Sequence, residues 1–170
     1  MKIELVKVSL QQKMILRHLI ELYQYDFSEF DHADVNEHGL YDYMFLDHYW
    51  TESARIPFFV KVDEKYAGFV LLRKIRNQEI EYYSIAEFFI MRKYRKRGIG
   101  RKVAFRLFHQ FQGEWEISQI EQNISAQKFW RTLISEYTNH NYQEFRREDW
   151  DGPIQKFSTI GIHTDEENER

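Results

Sequence analysis

The chain has 170 residues, 43% of them hydrophobic and 17% aromatic, with a net charge of −3, which suits one folded domain and excludes an intrinsically disordered chain. The longest unbroken apolar stretch, Ala67 to Leu72, is far short of the roughly 20 residues a membrane span needs. Met1-Lys2-Ile3-Glu4 offers no apolar signal region, so a cytoplasmic protein with no membrane partner is expected. With no cysteine, disulfide frameworks, thiolate nucleophiles and cysteine metal sites are excluded.

In chain order, Ile3, Leu5 and Val8 predict a strand. Ser9 can then cap a helix carrying Leu16, Ile20, Tyr23, Phe27 and Phe30 at helical spacing. From Asp26 to Trp50 the chain is acidic and aromatic, read as a loop and a second helix. Two strands follow, Phe58 to Val62 and Tyr66 to Arg73, joined by the turn Asp63-Glu64-Lys65. Ile80 to Met91 is apolar on both parities, the pattern of a central strand covered on both sides. A helix with Ile99, Val103, Leu107 and Phe111 comes next, stopped by Gly113. Glu116 to Ile120 predicts a strand, Ala126 to Tyr137 an amphipathic helix and Ile154 to Ile162 a closing strand. Alternating elements with an antiparallel front half predict a mixed α/β (α+β) domain with a mixed sheet over residues 1–162, and 163–170 form an acidic polar tail.

The charge is concentrated in one place. Arg92, Lys93, Arg95, Lys96, Arg97, Arg101 and Lys102 put +7 into eleven residues, which leaves −10 on the rest of the chain. Within this run Arg95-Lys96-Arg97-Gly98-Ile99-Gly100 joins the central strand to the following helix. Glycines there let successive backbone N–H groups converge on an anion at a helix N-terminus, where the dipole and the flanking cations favour a pyrophosphate. A P-loop needs Lys-Ser/Thr after its last glycine, and Gly100 is followed by Arg101-Lys102-Val103. A dinucleotide G-x-G-x-x-G needs a glycine where Val103 stands, although Glu121 lies at a suitable distance for a ribose contact.

The remaining motif is R/Q-x-x-G-x-G/A after an apolar strand, here Glu87-Phe88-Phe89-Ile90-Met91 leading to Arg95-x-x-Gly98-x-Gly100, and a later segment reads Asn123-x-x-Ala126-x-x-Phe129-Trp130. In these two segments, ordered and separated by a helix and a strand, the chain resembles the Gcn5-related N-acetyltransferases, roughly from the hairpin to Tyr137. The resemblance implies an N-acetyltransferase domain whose central mixed sheet has two splayed parallel strands and flanking helices. It implies acetyl-CoA as acetyl donor and an amine as acceptor. Backbone groups around Ile90 and Met91 would hold the pantetheine arm and polarise the thioester, while Arg95, Lys96, Arg97, Gly98, Ile99, Gly100 and Arg101 wrap the pyrophosphate. Asn123, Phe129 and Trp130 join the cofactor-binding residues by the same resemblance. The family commonly has a tyrosine, thought to protonate the leaving thiolate, where this chain has Trp130.

Glu87 is the one carboxylate between Tyr82 and Met91, in an otherwise apolar strand. Burial raises a carboxyl pKa, which suits a general base working near neutrality, so Glu87 is the catalytic candidate. The competing reading is a structural glutamate satisfied by a backbone N–H or a basic side chain. The acidic stretch with Asp26, Glu29, Asp31, Asp34, Glu37 and Asp47 reads as a solvated surface or, functionally, as an attractor of a cationic amine. The seven histidines show no metal spacing, and no metal is expected. Two other classes stay open: an acyl-CoA-binding module without turnover, and a nucleic-acid binder using the basic run, which the acidic remainder argues against. The acceptor amine and the oligomeric state, a homodimer included, are left open.

Overall fold

The computed structural model describes residues 1–77 and 80–162, and the tail 163–170 lies outside the described residues. The strands are β1 (Ile3–Lys7), β2 (Arg55–Val62), β3 (Lys65–Asn77), β4 (Ile80–Ile90), β5 (Glu114–Ser118), β6 (Gln143–Arg147) and β7 (Trp150–Ser158). The helices are α1 (Lys13–Asp31), α2 (His48–Thr51), α3 (Ile99–Gln110) and α4 (Ile124–Tyr137). The strands form one mixed sheet in the order β1-β2-β3-β4-β5-β7-β6. Strands β4 and β5 run parallel, with Tyr83 opposite Trp115, and the β1–β2, β2–β3, β5–β7 and β6–β7 pairs are antiparallel. None of the described helices is long and apolar enough to cross a membrane.

The chain divides into two compact units, Met1–Lys74 with Ile85–Val103, and Ile75–Ser84 with the residues from Ala104 onward. In the first, α1 places Leu16, Leu19 and Ile20 against Phe59, Phe69, Leu71 and Phe89 of the sheet, closed by Val8, Leu46 and Tyr49. Ser9 and Gln12 form a capping turn ahead of α1, the Gln12 side chain accepting the Ser9 N–H at 3.2 Å. The helix then continues to Asp31 and ends on His32 in a left-handed conformation. The second helix expected before Trp50 is a single turn, α2. The β2–β3 turn needs positive φ at both Asp63 and Glu64. The residue before β1 supports it: Asp63 N–H donates to the Lys2 carbonyl at 2.9 Å, and Lys2 N–H to Asp63 Oδ1 at 2.8 Å.

In the second unit, Phe108, Trp115, Tyr137 and Phe157 form an aromatic core. The Phe108 centroid lies 4.9 to 5.0 Å from those of the other three. Strand β5 begins two residues earlier than its own apolar pattern suggests, because Glu114 pairs with Ser158 of β7. The bonds between Gly113 and Thr159 extend that pairing. The β6–β7 hairpin begins before the expected closing strand. β6 was not expected at all.

Candidate active site

The basic loop begins where β4 ends. Met91 N–H donates to the Ala67 carbonyl at 2.8 Å, and the next residues, Arg92–Tyr94, form a 3-10 turn pinned by the buried Tyr94. Arg95 is extended, Lys96 has φ 59° and Gly98 has φ 73°. Gly98 has open space around it, so glycine is required there by backbone conformation rather than by crowding. The chain then enters α3: Lys102 N–H reaches the Gly98 carbonyl at 3.1 Å, Ile99 is buried as the anchor, and Gly100 lies in the first turn. The first N–H groups of a helix have no intrahelical partner and carry the positive end of the dipole. Lys96 and Arg97 are exposed around them, and Arg101 is partly buried.

Arg92 and Arg95 share a carboxylate partner that the sequence did not suggest. Arg92 donates through Nε and Nη2 to Oδ1 of Asp26 at 2.9 and 2.7 Å, and Arg95 Nη2 donates to Oδ2 of the same carboxylate. Arg95 also donates through Nε to the Ile90 carbonyl at 2.7 Å, with its guanidinium 5.8 Å from the Phe89 ring centroid. Burial pushes the Asp26 carboxyl up, but the bonds from Arg95 and Arg92 outweigh this and hold it below the usual range. Asp26 thus ties α1 to the anion loop. No local signal reveals it, since its partners are 66 and 69 residues away.

Glu87 projects from β4 on the same face as Phe89, partly buried. Its neighbours are phenols. Tyr23 of α1 donates its hydroxyl to Oε2, and Tyr43, from the segment between α1 and α2, donates to Oε1 at 3.3 Å. The Tyr23 ring packs edge-on to Phe69 and Phe89, each with centroids 5.7 Å away. Burial pushes the Glu87 carboxyl up, the two phenols and the positive charge of Arg73 pull it down, and Asp31 adds a small upward push. The result is about 7. Burial and the nearby Glu87 charge push both phenols upward, keeping them protonated donors. A third phenol, Tyr49, is buried close by, and its hydroxyl meets no partner at hydrogen-bonding geometry among the described residues.

The later motif lies in the second unit. Asn123 caps α4, its Oδ1 accepting the Ala126 N–H at 3.0 Å, which gives the Asn-x-x-Ala spacing a local structural cause. Phe129 is half-buried and meets Trp130 edge-on at 5.0 Å, and Trp130 is buried with Leu133, Ile134 and Tyr137. The first unit therefore brings together Glu87, Ile90, Met91 and Arg95 to Arg101, while Asn123, Phe129 and Trp130 belong to the second.

Residues 16–133 match the model of the acetyltransferase (GNAT) family. No curated protein matches the chain. Among solved structures it is similar to a GNAT-family acetyltransferase from Staphylococcus aureus, at 18% identity over 93% of this chain and 99% of that one, with a TM-score of 0.64. An acetyltransferase from Thermus thermophilus gives 12% identity over 93% and 97% of the two chains, with a TM-score of 0.70. Arabidopsis thaliana NAA60 in complex with a bisubstrate analogue gives 12% identity over 92% and 98%, with a TM-score of 0.61. At these identities the structural likeness establishes the fold.

Proposed function

Because the chain belongs to the acetyltransferase (GNAT) family, whose members use acetyl-CoA as cosubstrate, we propose that it transfers an acetyl group from acetyl-CoA directly to a primary amine. The observation that carries this reading is Glu87, a carboxyl poised at about 7 and held at both oxygens in an aromatic setting. The attacking amine must lose a proton, and a base with a pKa near neutrality is suited to receive it, directly or through one water. Backbone N–H groups near Ile90 would stabilise the developing oxyanion. The N-terminus of α3, with exposed Lys96 and Arg97 and the left-handed Gly98, has the chemistry to hold a pyrophosphate. The leaving thiolate has modest proton affinity and takes its proton from solvent.

One observation favours a second reading. Trp130, where the family commonly has tyrosine, is buried and carries no acid, as an acyl-CoA-binding module without turnover would permit. Nucleic-acid binding loses support, because Asp26 already neutralises part of the basic run. Thiol release from acetyl-CoA across a panel of amines tests the choice. Amine-dependent release supports transfer, whereas acetyl-CoA binding with no release from any amine supports the binding module.

A further inference from the structure

From the two phenols that meet one carboxylate, we infer that Tyr23 and Tyr43 are positioning residues which orient Glu87 and set the pH at which it becomes a base; this rests on the proposed acetyl transfer with Glu87 as proton acceptor. They come from different elements, α1 and the segment before α2, and take different oxygens, Oε2 and Oε1. A carboxylate has about four lone-pair sites, so two remain for an incoming proton while the group is held at both ends. The two holds are anchored differently. Tyr23 is fixed by ring contacts to Phe27, Phe69 and Phe89, whereas Tyr43 meets Phe45, a more exposed ring, with centroids 6.1 Å apart.

The sign follows from the chemistry. A phenol donating to a carboxylate favours its charged form, so each bond lowers the pH at which Glu87 ionises. The other titratable groups acting on it are Asp31 of α1, Tyr49 of α2 and Arg73 of β3, all unchanged in a Tyr→Phe variant. Loss of one charge-assisted bond corresponds to an upward move of about one pH unit. For a group ionising at about 7, that reduces the ionised fraction at pH 7 about fivefold.

The test is a carboxyl-carbon NMR titration of the folded protein labelled at glutamate, with the Glu87 signal assigned by its loss in Glu87→Gln. The pH profile of thiol release is recorded alongside. Tyr23→Phe and Tyr43→Phe should each move the Glu87 midpoint upward by about one unit and move the acidic limb of turnover with it. Turnover should fall about fivefold at pH 7 and recover to within about twofold at pH 9. Tyr25→Phe, an exposed phenol on the same helix, should move neither. An unmoved or lowered midpoint overturns the inference, as does a turnover loss equal at every pH. A midpoint that moves as expected while Glu87→Gln retains full turnover overturns the base reading itself, and the NMR arm separates that failure from the first.

Discussion

Glu87 is held between two opposed effects, and which one wins depends on pH. Burial favours its neutral form, the phenols favour its charged form, and the outcome is a folded-state pKa of about 7 against an ordinary 4.5. A carboxyl raised in the folded state contributes stability fully present below its unfolded pKa and lost as pH rises through the folded value. Glu87→Gln removes that dependence. The variant should therefore gain stability over the natural protein as pH rises from about 4.5 to 7, levelling at about 3 kcal/mol at most, measured by urea unfolding at pH 4.5 and pH 8.5. Its turnover should fall by about a hundredfold or more, with the acidic limb of the pH profile abolished and acetyl-CoA affinity retained. Equal stability differences at both pH values would mean that the carboxyl is not shifted by its surroundings.

At the scale of elements, the strand–loop–helix joint from β4 to α3 depends on two devices. One is the Asp26 carboxylate of α1, which holds Arg92 and Arg95. Its pKa is depressed, so the pair's stability is present above the ordinary carboxylate range and lost as pH falls through the folded value. Asp26→Asn should cost about 1 kcal/mol at pH 7, allowing for solvent screening. The loss should shrink towards zero in acid and at high salt, as read by denaturant midpoints. The other device is Gly98 at φ 73°. Gly98→Val puts a β-branched residue into a left-handed conformation and should reshape the loop while sparing the core. Acetyl-CoA at about 100 times its dissociation constant should stabilise the natural protein by about 2.7 kcal/mol. The Gly98→Val variant should show no such shift in thermal unfolding.

Across the molecule, the strand carrying Glu87 is set by how closely β3 and β4 approach within the first unit. A Cβ at Gly68 would lie 1.9 Å from the Phe89 carbonyl oxygen and 3.1 Å from Ile90 Cα, both backbone atoms that cannot swing aside. Gly68→Ala should accordingly cost about 3 kcal/mol or more, at the upper end of overpacking penalties. Turnover should fall with it, because Phe89 and Ile90 cannot move without moving Glu87. Full stability in this variant, measured by chemical unfolding, would mean that the two strands have room to separate.

The sequence alone determined the elements that have an apolar face. α1, α3 and α4 bury side chains at helical spacing, whereas β2, β3 and β5 bury consecutive ones, and each pattern is legible in the order of apolar residues. It also placed the anion loop, since the turn's demand for Gly98 and the cluster of cations are both local. β6 was invisible because Gln143 to Arg147 is an exposed edge strand with only Phe145 half-buried. Backbone pairing with β7 makes it a strand, and side-chain pattern does not report such pairing. The partners of Glu87 were likewise hidden. The sequence suggested a carboxylate among apolar neighbours, but the groups that tune it, Tyr23 and Tyr43, are 64 and 44 residues away. Hydrogen bonds between residues so far apart, like those joining Asp26 to Arg92 and Arg95, leave no mark on local composition or periodicity. They exist only once tertiary packing has brought α1 and the segment after it onto the sheet.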